Sequence, residues 1–420
     1  KYTSIETFVG AGGSFLGFKK AGFEAKYVND NEIDFLKTLK FNNKELENIF
    51  VDDTPIEKIN FQKLRKQLKL KRKEVDVVFG GPVCKGYSLA GVRDPSDIRN
   101  SLYQYQIELI REFQPRIALI ENVPAMKGSL ILKTNTKKSI VNEISYVYKQ
   151  LDIYKGIKAK LRKAGNILST KEEEKYNKIK NKKKEFEEVI KNNSVSVIQD
   201  IEERLKNIGY KVKVANLNAS WYGSYTKRVR TIVAAVRKDL NIDFKYPTIT
   251  HLNKNDKKYS DFNYAKNLIG LKTIKDSFKL LDKKNNSPDK DYDNKPMHHN
   301  EKSVRRFKLI PKGKNFVEVM HKAPKDLQIS KFYSRGCTMR LDDNLPSPTL
   351  VPGHSNFPVH PTEHRSITVR EAATITGFPT NYKFFGNHTK RCEQVGNAVP
   401  IHLSYALAKS CKDLLDKINE

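Results

Sequence analysis

The chain reads as an α/β protein built on a doubly wound, mostly parallel sheet, with a second, smaller and irregular domain set into it. Three observations predict this. Short β-branched runs alternate with helical ones over residues 1 to about 125, a rhythm that calls for parallel strands joined by crossing helices. Gly10, Gly12 and Gly13 follow the first strand and precede the first helix, where such folds turn tightly around a ligand. From about 240 to 335 the rhythm dissolves into Asn, Asp, Lys and Pro with scattered aromatics.

Ile5 to Val9 is the first strand, and a helix is expected from about Ser14 to Ala21. Ala25 to Asn29 and a helix from about Ile33 to Leu39 repeat the unit. Val75 to Phe79 and Ile117 to Ile120 are short apolar runs bounded by turn residues, the mark of buried parallel strands, with a helix from about Leu102 to Phe113 between them. Val195 to Ile208 reads as a helix stopped by Gly209, and the strands Tyr210 to Leu217 and Thr231 to Val236 follow. Roughly 128–193 is an insertion dense in Lys, Glu and Asn. Ile157, Leu161 and Leu168 recur there at helical spacing, Gly165-Asn166 ends one helix, and Ser169-Thr170 before Glu172 and Glu173 opens another with a capping box. A projecting helical hairpin is predicted, either a lysine arm for DNA phosphates or a solvated insert. The last helix, about Ile401 to Lys417, is expected to swing back beside the first strand. The division expected is 1–240 as the main domain, 241–340 as the small one and 341–420 returning to the main domain.

Composition narrows the class. A hydrophobic fraction of 38% over 420 residues suffices for a core, and no run approaches the roughly 18–20 apolar residues of a membrane span. The chain opens on a strand-like segment rather than a charged and apolar leader, so a cytoplasmic protein with no membrane contact is expected. Cys84, Cys337, Cys392 and Cys411 are far apart with no paired CxxC spacing, which indicates neither a metal site nor a disulfide framework. Lys plus Arg outnumber Asp plus Glu by 78 to 48, a net +30 that suits a polyanionic partner.

The chemistry concentrates at strand ends. Gly80-Gly81-Pro82-Val83-Cys84-Lys85-Gly86-Tyr87-Ser88 puts a lone cysteine in a Gly/Pro loop after one apolar run, and Glu121-Asn122-Val123 ends the next. A thiol and a carboxylate so placed are the layout of a covalent nucleophile with a proton donor, although Cys84 taken alone reads more readily as a small buried hydrophobe. A dinucleotide fingerprint is excluded by spacing, since the third glycine would fall at Phe15. Glu32, at the end of the second strand, is placed to accept bonds from ribose hydroxyls, which suits an adenosine cofactor. Arg228 and Arg230, two apart at a strand start, are expected to point the same way.

Five motifs in order resemble those of the DNA cytosine-5 methyltransferase family of bacterial restriction-modification systems. They are Phe8-Val9-Gly10-Ala11-Gly12-Gly13, Val83-Cys84, Glu121-Asn122-Val123, Arg228-Val229-Arg230 and Gly396-Asn397-Ala398-Val399-Pro400. Pro346-Ser347-Pro348-Thr349, His360-Pro361, Arg365 and Thr368 to Glu371 resemble the family's C-terminal block. The resemblance implies an S-adenosylmethionine-dependent methyltransferase sheet, with residues 241–340 as the target recognition domain. It implies S-adenosylmethionine as cofactor and S-adenosylhomocysteine as product, with no metal. Phe8, Gly10, Gly12 and Gly13 would lie against the cofactor, Glu32 on the ribose, Ile33 beside adenine and Asp53 toward its exocyclic amine. Leu102, Asn397 and Ala398 would complete the pocket. Cys84 would attack C6 of a flipped-out cytosine, Glu121 would bond N3 and the exocyclic amine, Arg230 would hold O2, and Arg228 would support the cysteine and the flipped phosphate. Double-stranded DNA is the implied partner, met by Lys85 and Ser88 and, among candidate base readers or phosphate anchors, by Arg305, Arg335 and Arg340. A cognate restriction endonuclease is the implied functional partner, and a monomer is expected.

The chain departs from the family's usual P-P-C-Q-G-F-S at Val83, Lys85 and Tyr87, and Tyr225-Thr226 stands where Pro-Gln is common. Val83 frees a fixed φ, and Lys85 replaces an amide with a cation near DNA phosphate. Two other readings therefore stay open on the residues: a homologue that binds DNA without methylating it, and an enzyme of the same fold acting on tRNA.

Overall fold

A computed structural model describes residues 1–82, 102–133, 135–253, 255–256, 258–329, 338–351 and 357–420. Strand β1 (Thr3–Thr7), helix α1 (Gly13–Lys20), β2 (Glu24–Asn29), α2 (Ile33–Asn42), β3 (Phe50–Asp52), α3 (Phe61–Gln67), β4 (Val77–Gly80), α4 (Leu102–Phe113) and β5 (Ile117–Asn122) give the alternating first half. After β6 (Leu130–Leu132), α5 (Lys138–Lys163), α6 (Thr170–Asn193), β7 (Ser194–Ser196) and α7 (Val197–Asn207), the sheet resumes with β8 (Tyr210–Asn218) and β9 (Val229–Arg237). There follow β10 (Ile249–His251), β11 (Tyr264–Ile269), α8 (Ile274–Phe278), α9 (Glu301–Leu309), α10 (Phe316–Val319), α11 (Val369–Thr376), α12 (His388–Asn397) and α13 (Ile401–Asn419).

Seven strands pair in the order β3-β2-β1-β4-β5-β9-β8. The first five are mutually parallel, and β9 runs antiparallel to both β5 and β8. Period-two alternation of the strands explains why both faces are covered. Val78, Ala118, Ile120, Val233 and Ala235 join a core with α3, α4 and α7, through Leu64, Ile107, Ile110 and Ile201. Their neighbours Val77, Phe79, Ile117, Leu119, Ile232, Ala234 and Val236 face the other way, onto Phe18 of α1 and onto Leu403, Leu407 and Leu414 of α13. The carboxyl ends of β1, β2, β3, β4 and β5 therefore share one edge, and Thr231 of β9 lies opposite Asn122 there.

Two expectations are refined. The last helix swings back to the start of the chain as expected, and does so by packing on α1, where Ser404 Oγ donates to the Gly13 carbonyl at 2.8 Å, and by bonding Tyr2 Oη, one residue before β1, to Asp416 at 2.7 Å. Among its described residues, the irregular stretch 241–340 is shared between several cores. Phe244, Ile249 and Leu252 sink into the cluster under α13, Ile274 packs with α11 and α12, and Phe307, Ile310, Phe316, Ala323 and Leu327 form a small cluster with Val359. The reason is the aromatic start of the stretch: Tyr246 runs back along the sheet and donates to the carbonyls of Lys213 and Ile232.

Candidate active site

The glycine loop leaves β1 through Phe8, which has φ 54, and Gly10 with φ 57. A side chain at Gly10 would meet none of the described residues within 4 Å, so the loop's outer surface there is open to them. Gly12, at φ 104, caps α1, and a Cβ on it would lie 2.6 Å from Leu39 Cδ1. Left-handed φ and close packing both demand glycine at that point. A Cβ on Gly13 would overlap the Val399 carbonyl and sit 3.1 Å from the Ala398 methyl, so the two ends of the chain meet here. Asn397, exposed, ends α12 directly beside this contact.

Asp30, a buried carboxylate two residues before Glu32, ties the next piece to the loop. Its Oδ2 accepts from Gly10 N at 2.8 Å and its Oδ1 from Glu32 N at 3.0 Å. Burial pushes its carboxyl up to about 6, against the pull of those two amides. Glu32 caps α2, with its side chain partly exposed and its Oε2 bonded to Lys390 Nζ at 2.7 Å, an ion pair that raises the lysine. Ile33 is 68% exposed although apolar, and Asp53, beyond β3, is exposed as well. An open glycine loop, a solvent-facing isoleucine and two accessible carboxylates on one sheet edge match an adenosine: backbone for the sugar-proximal chain, an apolar face for the base, acceptors for hydroxyls and an amine. Leu102, the first residue of α4, packs part-buried against the core on the α4 side.

The second half of the site lies one strand along. Glu121 is buried at the end of β5, and its Oε1 pairs with Arg230 Nε at 2.6 Å across the antiparallel β5–β9 ladder. A Cβ on Gly81 would fall 2.7 Å from Glu121 Oε2, and Asn122 Nδ2 donates to the Pro82 carbonyl at 3.1 Å. The start of the cysteine loop is thus pinned against the carboxylate. Cys84, Lys85 and Ser88 lie outside the described residues, as does Arg335. Arg228 Nη1 donates to the Leu350 carbonyl at 3.1 Å, and the residue, just ahead of β9, is buried.

Arg305 stands on the surface of α9, paired with Asp326 at 2.9 Å. Arg340 is corrected outright as a DNA contact. It is 4% exposed, and its guanidinium donates to the carbonyls of Phe307, Ile310, His360 and Glu363 and faces His364 Nδ1. Its donors hold the chain together and none faces a groove. Sequence reasoning missed Asp30 and Lys390. The run Asn29-Asp30-Asn31-Glu32 signalled the first, since a polar residue at a buried strand end must find partners; nothing local signals a lysine 358 residues from its glutamate.

An open, doubly wound α/β sheet binds its ligands at the carboxyl edge of the strands, where this chain gathers its polar groups. Comparison with known proteins makes this specific. The profile of C-5 cytosine-specific DNA methylases matches residues 2–188 and 185–413, and the chain belongs to that family. It is 28% identical over 431 residues to the type II methyltransferase M.Eco47II of Escherichia coli, covering 100% of this chain and 81% of that one. It is 26% identical to M.DdeI of Desulfomicrobium norvegicum, covering 99% and 89%. Among solved structures it resembles the S. pombe Dnmt2 methyltransferase, with a TM-score of 0.55 at 12% identity over 100% of both chains.

Proposed function

We propose that this protein is an S-adenosylmethionine-dependent DNA cytosine-5 methyltransferase of restriction-modification type, which methylates C5 of a flipped-out cytosine through a covalent bond from Cys84. The observation that carries this reading is the Glu121–Arg230 pair at the end of β5, set against the first residues of the cysteine loop. Phe8, Gly10, Gly12, Gly13, Glu32, Ile33, Asp53, Leu102, Asn397 and Ala398 would hold the cofactor. When bound, that group supplies an electrophilic methyl. Cytosine C5 is too weak a nucleophile to accept it unaided, so the Cys84 thiolate adds to C6 while Glu121 hydrogen-bonds N3 and the exocyclic amine and Arg230 holds O2. The ring's electrons then reach C5, which would take the methyl as its bond to the sulfonium sulfur breaks, leaving S-adenosylhomocysteine. Loss of the C5 proton to a base, water being the simplest, restores the double bond and expels Cys84. None of this fits inside a stacked duplex, so the base must leave it. We assign target recognition to the region centred on the Phe307–Phe316–Leu327 cluster, and the cellular setting to a bacterial cytoplasm beside an endonuclease of the same specificity.

The test is to incubate the full chain with methyl-tritiated S-adenosylmethionine and mixed-sequence duplex DNA or tRNA, then digest to nucleosides. Label in 5-methyldeoxycytidine, absent with Cys84→Ser, is expected. Label confined to tRNA, or undiminished in the variant, would sink the reading.

A further inference from the structure

The α5–α6 hairpin is rooted at the active-site edge. Its first strand, β6, follows Glu121 by a few residues, and β6 pairs antiparallel with β7 through Leu130 to Leu132 and Ser194 to Ser196. Backbone bonds from Lys133 N to Asn193 O and from Val197 N to Ser129 O close the root. The next helix, α7, runs from there back to the amino edge, since β8 begins opposite the end of β9.

The hairpin has two unlike halves. Near the root, Ile144, Tyr148 and Ile190 form a core with Leu132, Ile140 and Phe186. Over 137–154 and 181–193, where Lys182 pairs with Glu143 and Lys183 lies over the Tyr148 ring, seven lysines face five carboxylates, a mixed surface of the kind that simply meets water. Over 155–180, nine lysines and arginines face three glutamates. Lys171, Lys175, Lys178 and Lys182 fall at spacings of four, three and four, one stripe of α6, and all are exposed. Like charges at such spacing destabilise a helix by a few tenths of a kcal/mol per pair, so a merely solvated insert gains nothing from them. The distal half is stiffened by the Ser169–Glu172 capping box, by Lys158 over the Tyr176 ring at 3.7 Å, and by Tyr154 against Tyr176.

We propose that the distal half of this hairpin is a sequence-independent clamp on the phosphates of duplex DNA flanking the target base, a role that rests on duplex DNA being the substrate. A 26-residue α5 spans ~39 Å at 1.5 Å per residue, so the tip reaches phosphates about one helical turn of DNA from the root. The clamp contributes affinity and residence on long DNA, and it leaves the chemical step alone.

The experiment uses the full chain with Lys171, Lys175, Lys178 and Lys180 each changed to Gln; Lys182 is spared because it pairs with Glu143 across the hairpin. Binding to fluorescent duplexes of about 15 and about 50 base pairs is followed by anisotropy across a salt series, without cofactor. On the long duplex the Kd should rise on the order of tenfold near 0.1 M salt, and the slope of log Kd against log salt should fall by about 2–3. The short duplex, and kcat at saturating DNA, should be unchanged. A Lys→Arg quadruple variant should restore the slope, and Lys137→Gln with Lys138→Gln at the root should not alter it. An unchanged slope on long DNA, or equal loss on both lengths, would overturn the clamp. Wild-type protein that binds with this length dependence yet never methylates DNA would support the clamp and sink the enzymatic reading.

Discussion

Glu6 shows how a single residue under the cofactor loop sets a pH response. It lies in β1, fully buried, with Ser4 Oγ donating to its Oε1 at 3.5 Å and Ser14 nearby, and its Oε2 has no hydrogen-bond partner among the described residues. Burial pushes its carboxyl up to about 7. A carboxyl raised by folding binds its proton more tightly in the native state, so stability is full below the unfolded value near 4.5 and is lost as pH rises toward 7. Glu6→Gln removes the ionisation. Relative to wild type, the variant should therefore gain about 2–3 kcal/mol between pH 5 and pH 8, taken from urea midpoints at the two pH values. A difference between the proteins that does not change with pH would contradict the assignment. Asp30, raised to about 6 by the same burial, remains in both and cancels in the comparison.

Helix packing overrides helix propensity where α1 meets α13. Gly17 sits mid-helix, a position where alanine is worth about 1 kcal/mol more in isolation. A Cβ there would overlap Ser404 Oγ and lie 2.5 Å from Tyr405 N and 2.7 Å from the Ser404 carbonyl carbon. Backbone cannot rotate away, so the helices must separate. Gly17→Ala should lose roughly 1–3 kcal/mol in urea unfolding, the typical cost of overpacking, and a gain would show that helix propensity outweighs the close approach there. This is also the scale at which sequence and structure agree most. The capping box at Ser169 and Glu172, the C′ glycine Gly209 at φ 97, and the helix at 102–113 are local signals, and each element stands where its signal put it. The pairing of β6 with β7, the short helices α8 to α10 and the buried role of Arg340 owe their existence to residues tens of positions away, which no local pattern carries. The site divides in the same way. Strand ends placed Glu121 and Glu32 at one edge, while the partners Arg230 and Lys390 depend on the β5–β9 ladder and on the returning chain.

Across the whole molecule, the irregular region and the cofactor edge are joined by a buried charge network. Asp293 Oδ1 accepts from Arg391 Nη1 of α12 at 2.8 Å, and its Oδ2 from Phe384 N at 3.1 Å and from Arg370 Nη2 of α11 at 3.3 Å. Arg370 Nε also bonds Asp291 at 2.6 Å, and the Arg391 guanidinium lies 4.3 Å from the centre of the Tyr292 ring. Arg370, Arg391 and Asp293 are each no more than 5% exposed. Such a cluster is costly to desolvate, yet removing one member leaves the others buried and uncompensated, a loss of about 3–5 kcal/mol. Asp293→Asn preserves volume and the bond to Phe384 while deleting the charge that faces two guanidiniums, and it should lower stability by that order. The same helix α12 carries Lys390 to Glu32 and ends at Asn397 beside Gly13, so the loosening should pass to the cofactor edge. KM for S-adenosylmethionine should accordingly rise several-fold in Asp293→Asn, by more than KM for DNA, at a temperature where the variant remains folded. Loss of stability with both KM values intact would make the network a rivet only, and unchanged stability would remove it from the architecture altogether.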